Sequence, residues 1–141
     1  MSTLLDTNVV SELMRASPEP AVARWVSGHP VEDLFLSAVS EAELRYGAAV
    51  LPFGRRREKL FFKIEAMLSD AFEDRVLPFD GDAARAYGHI VAARRSAGRP
   101  VASADCQIAA IAMAGRMRLA TRNVRDFEDM GVEIVNPWVG V

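Results

Sequence analysis

Short apolar runs alternate with longer stretches of helical periodicity along this chain. Residues 3–6 end in Leu4-Leu5-Asp6 and predict a first strand. Thr7 or Asn8 can cap a helix reaching about Arg15. Ser17-Pro18-Glu19-Pro20 interrupts the pattern, and Pro20 suits the first turn of a helix carrying Val22, Trp25 and Val26. His29-Pro30 closes that helix. Leu34-Phe35-Leu36 predicts a second strand, followed by a helix over about 38–50 and a break at Pro52-Phe53-Gly54. Residues 55–74 predict a long amphipathic helix, with Leu60, Ile64, Met67, Leu68, Ala71 and Phe72 at helical spacing. Phe61 and Phe62 make its apolar stripe wider than one core face needs.

Val76-Leu77-Pro78-Phe79 predicts a third strand. The next helix starts at Asp80-Gly81-Asp82, turns Ala83, Tyr87, Ile90 and Val91 inward, and is closed by Gly98 and Pro100. Ser103 then caps a helix that carries no formal charge from Cys106 to Gly115 and is expected deep in the core. Arg118-Leu119-Ala120 and Glu133-Ile134-Val135 predict the fourth and fifth strands, with about one helical turn over 125–130 between them. Strands separated by helices predict right-handed crossovers and a mostly parallel sheet of about five strands, with helices on both faces. Length and pattern fit one domain over 1–141.

Half of the residues are apolar, which excludes a disordered chain. One cysteine, Cys106, excludes an internal disulfide framework and suits a reducing cytosol. The N-terminus carries no secretory pattern, and no apolar run approaches the roughly 20 residues of a membrane span. The net charge of −2 excludes a polycation but not a local basic surface. Fifteen arginines stand against two lysines, Lys59 and Lys63. Arginine suits bidentate phosphate binding, although a GC-rich genome produces the same bias.

The candidate chemistry lies in the acids. In a parallel sheet all strand C-terminal ends share one edge. Asp6 ends the first strand, Glu43 lies within two turns of the second, and Thr121-Arg122-Asn123 follows the fourth. Asp105 opens the uncharged helix just before that strand. Each has a structural explanation of its own. Asp6 can cap its helix, Ser40-Glu41-Ala42-Glu43 fits a capping box, Asp105 suits a helix dipole, and Asp126 suits a surface turn. Together they repel unless a cation neutralises them. Asp6 and Asp105 are the better direct ligands for a hard divalent ion, and Glu43 could bind a second ion or orient water. A phosphodiester is the natural substrate of such a site. Glycine-rich phosphate loops and H-E-x-x-H are absent, Cys106 lacks a catalytic partner, and Lys59 and Lys63 are misplaced for a phospho-aspartate receiver.

The segments LLDTNVVSEL, SAVSEAELRYG, ASADCQIAAIA, LATRNVRDF and VNPW follow in order over nearly the whole chain. In this combination the chain resembles the PIN-domain ribonucleases, specifically the VapC or FitB toxins of bacterial toxin–antitoxin pairs. The resemblance implies a three-layer α/β/α fold and a magnesium- or manganese-dependent endoribonuclease in the cytoplasm. It implies Asp6, Glu43 and Asp105 as the acidic core, with Thr7, Asn8 and Thr121 as polar support. The family's fourth acidic position falls at Asn123, an amide here, and Asp126 lies three residues on. Arg122 and Arg125 flank that edge as RNA-binding candidates. The resemblance further implies a homodimer and a cognate VapB- or FitA-type antitoxin, through which alone DNA is contacted. The substrate would be an RNA such as tRNA or rRNA. The helix over 55–74 is the candidate for protein contacts, with ordinary core packing as its alternative. Two other functions stay open: a catalytically silent module that binds antitoxin or RNA, and a PIN nuclease for housekeeping RNA processing.

Overall fold

The structure is a computed structural model that describes residues 1–99 and 102–140. Its centre is a five-stranded sheet of β1 (Thr3–Leu5), β2 (Leu34–Ser37), β3 (Val76–Leu77), β4 (Arg118–Ala120) and β5 (Ile134–Val135). All four neighbouring pairs are parallel, in the order β3-β2-β1-β4-β5. Among the described residues six helices surround the sheet: α1 (Thr7–Leu13), α2 (Pro20–Ser27), α3 (Ala38–Ala49), α4 (Arg55–Asp70), α5 (Gly81–Ser96) and α6 (Ser103–Ala114). Short 3-10 turns cover Val31–Asp33 and Val124–Phe127.

The two-residue period of a strand sorts the core into two halves. Leu4 is in register with Phe35 and Leu119, and Leu119 with Ile134. These four pack on one face with α5, α6 and Phe127. One residue on, Leu5 aligns with Leu36 and Ala120, and Ala120 with Val135. This second set packs with Val9 and Val10 of α1, Val22 of α2, Leu44 and Ala48 of α3, and Ile64 of α4. The fold is therefore the expected α/β/α sandwich. Helix α6 lies as deep as its lack of charge demands, with six of its residues buried from Cys106 to Ala112. Among the described residues, no helix is long and apolar enough to cross a membrane.

Several boundaries differ from the sequence expectation, each for a local reason. Helix α1 is capped by Asp6 rather than Thr7 or Asn8, and it ends at Leu13. Helix α3 is capped by Ser37, whose Oγ accepts the Ser40 N–H at 2.9 Å, so Ser40 and Glu43 form no capping box. Helix α4 starts at Arg55 as expected, after Gly54, whose φ of +150° suits glycine. It stops at Asp70, where Phe72 turns into the core and Arg75 donates back to the carbonyls of Ala71, Val31 and Leu34. Strand β3 is two residues long because Pro78 has no N–H to continue the ladder. Ser103 is the first residue of α6, and the capping position is Ala102. Pro100, expected to help close α5, lies outside the described residues.

Leu119 stands at the middle of β4 with no exposed surface. Leu119→Ala should destabilise the fold by about 2–5 kcal/mol. Urea unfolding followed by circular dichroism measures this, and a loss under about 1 kcal/mol would contradict the packing described.

Candidate active site

The strand order reverses between β1 and β4, which makes their C-terminal ends the switch point of the sheet. Asp6 and Thr121 are the first residues past those two ends. The Asp6 N–H donates to the Ala120 carbonyl at 2.9 Å, so the backbone pairing continues to the edge of the site. Asp6 is 5% exposed. Its Oδ1 accepts the Thr7 N–H at 2.8 Å, and its Oδ2 accepts the Thr121 hydroxyl at 2.7 Å. Thr121 has one proton to give and gives it to Asp6. Its oxygen then accepts from the Asn123 N–H at 3.0 Å and from Asn8 Nδ2 at 3.4 Å. The Asn8 side-chain oxygen accepts the Arg122 N–H at 3.4 Å. One buried threonine thus joins the strand ends, the first helix and the loop after β4.

Thr7 plays a similar part for Glu43. Its hydroxyl oxygen lies 2.6 Å from Glu43 Oε1 and 2.8 Å from Ser40 Oγ. A carboxylate only accepts, so the single Thr7 proton goes to Glu43 and Ser40 donates to Thr7. Asp105 arrives from the opposite side, in the first turn of α6. Asp6, Thr7, Asn8, Glu43, Asp105, Arg122 and Asn123 line one cleft of about 550 Å³.

A PIN domain is the family that matches residues 3–133. The chain belongs to the PIN-domain family. It is 44% identical to VapC ribonuclease Y4jK of Sinorhizobium fredii, over 96% of each chain. It is 38% identical to toxin FitB of Neisseria gonorrhoeae, over 96% of this chain and 97% of that one. A solved FitAB complex bound to an IR36 DNA fragment has a chain with TM-score 0.89 and 38% identity, covering 96% of this chain and 95% of that one. A DNA-bound VapBC from Salmonella typhimurium matches with TM-score 0.82 and 28% identity, over 97% and 98%.

The electrostatics of this PIN domain centre on the cleft. Burial is the main cause that raises the Asp6 carboxyl above its usual range. The bonds from Thr121 and Thr7 oppose it, and the charges of Glu43 and Asp126 add to it. Asp105, half-buried, is pushed from 3.8 up to about 6, first by burial and then by Asp6, Asp126 and Glu43. Asp105 therefore feels the charges of the other three acids, and Asp6 those of Glu43 and Asp126. All their donors are carboxylate oxygens, which is the ligand chemistry of a hard divalent cation. Among the described residues, no three His, Cys, Asp or Glu side chains already close around a single point. Magnesium sites commonly use one or two carboxylates completed by water and substrate phosphate, so this donor set fits such an ion.

The remaining expected positions separate. Asp126 is exposed in the 3-10 turn and acts on the cleft through its charge, without lining it. Arg125 is exposed on the same turn and also lies outside the lining. Arg122 does line it, with its guanidinium 5.1 Å from the Trp138 ring centre. Four lining residues were not expected: Ser11, Glu12, Arg15 and Trp138. Glu12 is 7% exposed, pairs with Arg15 at 3.3 Å and accepts the Glu19 N–H at 3.1 Å. Its spacing of four from Asn8 was the available signal, since it puts both on one face of α1.

The raised Asp105 carboxyl gives a pH prediction with a defined sign. A carboxyl raised in the folded state carries no penalty below 3.8 and its full penalty above about 6. Metal-free protein in EDTA should therefore gain thermal stability as pH falls through that window, and Asp105→Asn should reduce the gain. Parallel melting-temperature profiles for wild type and variant would contradict the assignment.

Proposed function

We propose that this chain is the toxin of a type II toxin–antitoxin pair, a divalent-metal-dependent endoribonuclease that cuts RNA phosphodiester bonds. The observation that carries the reading is the buried Asp6 facing Asp105 and Glu43 across one cleft. The 44% identity to a VapC ribonuclease supports it over the full length. In this reading Asp6 and Asp105 hold magnesium or manganese, and Glu43 completes the site or orients water. When bound, the ion polarises the scissile phosphoryl oxygen and lowers the pKa of the attacking water.

The chain's own residues supply the positioning. Thr121 holds Asp6 in one rotamer, and Thr7 does the same for Glu43. Asn123 fills the fourth position as a neutral amide on the cleft wall, and Asp126 contributes negative potential from outside it. Arg122 has no ion pair among the described residues, which leaves its guanidinium available to an RNA phosphate. The retained acids favour catalysis over a silent binding module. FitAB and VapBC relatives were solved as complexes on DNA. We accordingly assign this chain an antitoxin of the VapB or FitA type, which would make the DNA contact. A homodimer, a single domain over 1–141 and a cytoplasmic location belong to the same proposal.

Purified protein should cut total cellular RNA into discrete fragments with magnesium or manganese, and not with EDTA. Asp6→Asn should lower the rate at least about a hundred-fold while the protein stays folded. Equal cleavage by this variant, or by wild type in EDTA, would sink the proposal. Thr121→Val removes the proton donated to Asp6 and keeps the side-chain shape. Calorimetry should find its manganese affinity about ten-fold weaker.

A further inference from the structure

A second cavity, of about 510 Å³, opens off the acid cleft between α1, α3 and α4. The two share Thr7, Ser11, Arg15 and Glu43, so they adjoin along α1 and at Glu43. The character changes between them. Past Glu43 the wall carries Arg56, Lys59 and Lys63 of α4. The only two lysines in the chain are both here. All three side chains belong to exposed residues, and none forms an ion pair among the described residues. Lys63 reaches only a carbonyl, that of Met14, at 3.3 Å. Glu43 is the only acid in the lining. The floor is apolar, formed by Leu44, Leu51, Leu60 and Ile64.

We infer that this groove is the track for the single-stranded RNA that flanks the scissile phosphate, with Arg56, Lys59 and Lys63 gripping consecutive phosphates. The inference rests on the nuclease reading and specifies where its substrate lies. Three observations favour RNA. Spacings of three and four residues put the cations in one row along α4, about 10 Å long. Three cations in such a row can each meet one phosphate of a single strand, each contact contributing about 0.7 to the salt slope. A floor of aliphatic side chains beneath a cationic rail accepts an unstacked base, which a paired helix does not offer.

The acids also require such a rail, since they repel a polyanion wherever a cation does not neutralise them. Of the three consecutive arginines, Arg57 is diverted, with its guanidinium 4.3 Å from the Phe53 ring centre and 5.2 Å from that of Phe61. Arg56 alone of the three lines the groove.

The test is binding, separated from cleavage. Both proteins carry Asp6→Asn, so the probe stays intact. A fluorescein-labelled, unstructured RNA oligonucleotide is titrated by anisotropy over a range of salt concentrations. Adding Arg56→Gln, Lys59→Gln and Lys63→Gln should weaken binding about ten-fold or more and lower the salt slope by about 2, at 0.7 per phosphate. A duplex of the same sequence should bind more weakly than the single strand. Unchanged affinity and slope in the folded triple variant would overturn the inference and give the groove to another ligand, such as an acidic peptide. Cleavage assays on proteins with Asp6 intact keep the two readings apart. Metal-dependent cleavage with no effect on binding fails the groove alone, and a binding loss without any wild-type cleavage fails the nuclease alone.

Discussion

Mutual repulsion among carboxylates at one end of a parallel sheet is the constraint around which this molecule is arranged. Asp6 is nearly dry, and Asp105 and Glu43 share its cleft. Burial first, and then the charges of Asp6, Asp126 and Glu43, push the Asp105 carboxyl up to about 6. Such a cluster would relax outward if its side chains were free to turn. Two threonines prevent it, each giving its only proton to a carboxylate. The backbone then locks the threonines, since Thr121 stands at the end of β4 and Thr7 opens α1. The repulsion is thereby held in place as an affinity for positive charge.

The two cores serve the same end. Asp105 sits in the first turn of a helix whose following residues are buried on nearly every side. That helix cannot rotate without exposing Ile108 or Ile111, so Asp105 cannot leave the cleft cheaply. On the other face Val9 and Val10 pin α1 beneath Asn8, and Leu44 pins α3 beside Glu43. A polar site of this kind needs rigid supports, and here each acid is attached to a buried apolar anchor one to three residues away.

Much of this could be read from the residues. The alternation of Leu4 and Leu5, the uncharged run after Cys106 and the break at Pro52 to Gly54 fix elements through local chemistry, and all three appear in the fold. The end of α4 could not be read, because Arg75 sets it by reaching carbonyls some forty residues away. Nor could the capping of α3, where Ser40 and Glu43 fit the capping-box pattern but Ser37 takes the cap position. At the site, the position of Asp6 followed from the pattern, Glu12 could have been found by its spacing from Asn8, and Arg15 and Trp138 carried no such signal. Trp138 lies far along the chain from Asp6, and only the sheet order brings the two together. The unequal placing of Arg122 and Arg125 likewise depends on the 3-10 turn, which starts after Arg122 and includes Arg125.

The bond between Thr121 and Asp6 joins residues 115 positions apart. Strand β1 is central in the sheet, yet its neighbour β4 is made last but one. A ribosome therefore releases the first acid long before the strand that orients it exists. Until β4 emerges, Asp6 has neither the Ala120 carbonyl nor the Thr121 hydroxyl as a partner. Assembly of the cleft waits on the pairing of β1 with β4, because local contacts cannot close it early. The order of the strands thus acts as a clock, delaying the cleft until β4 has been made.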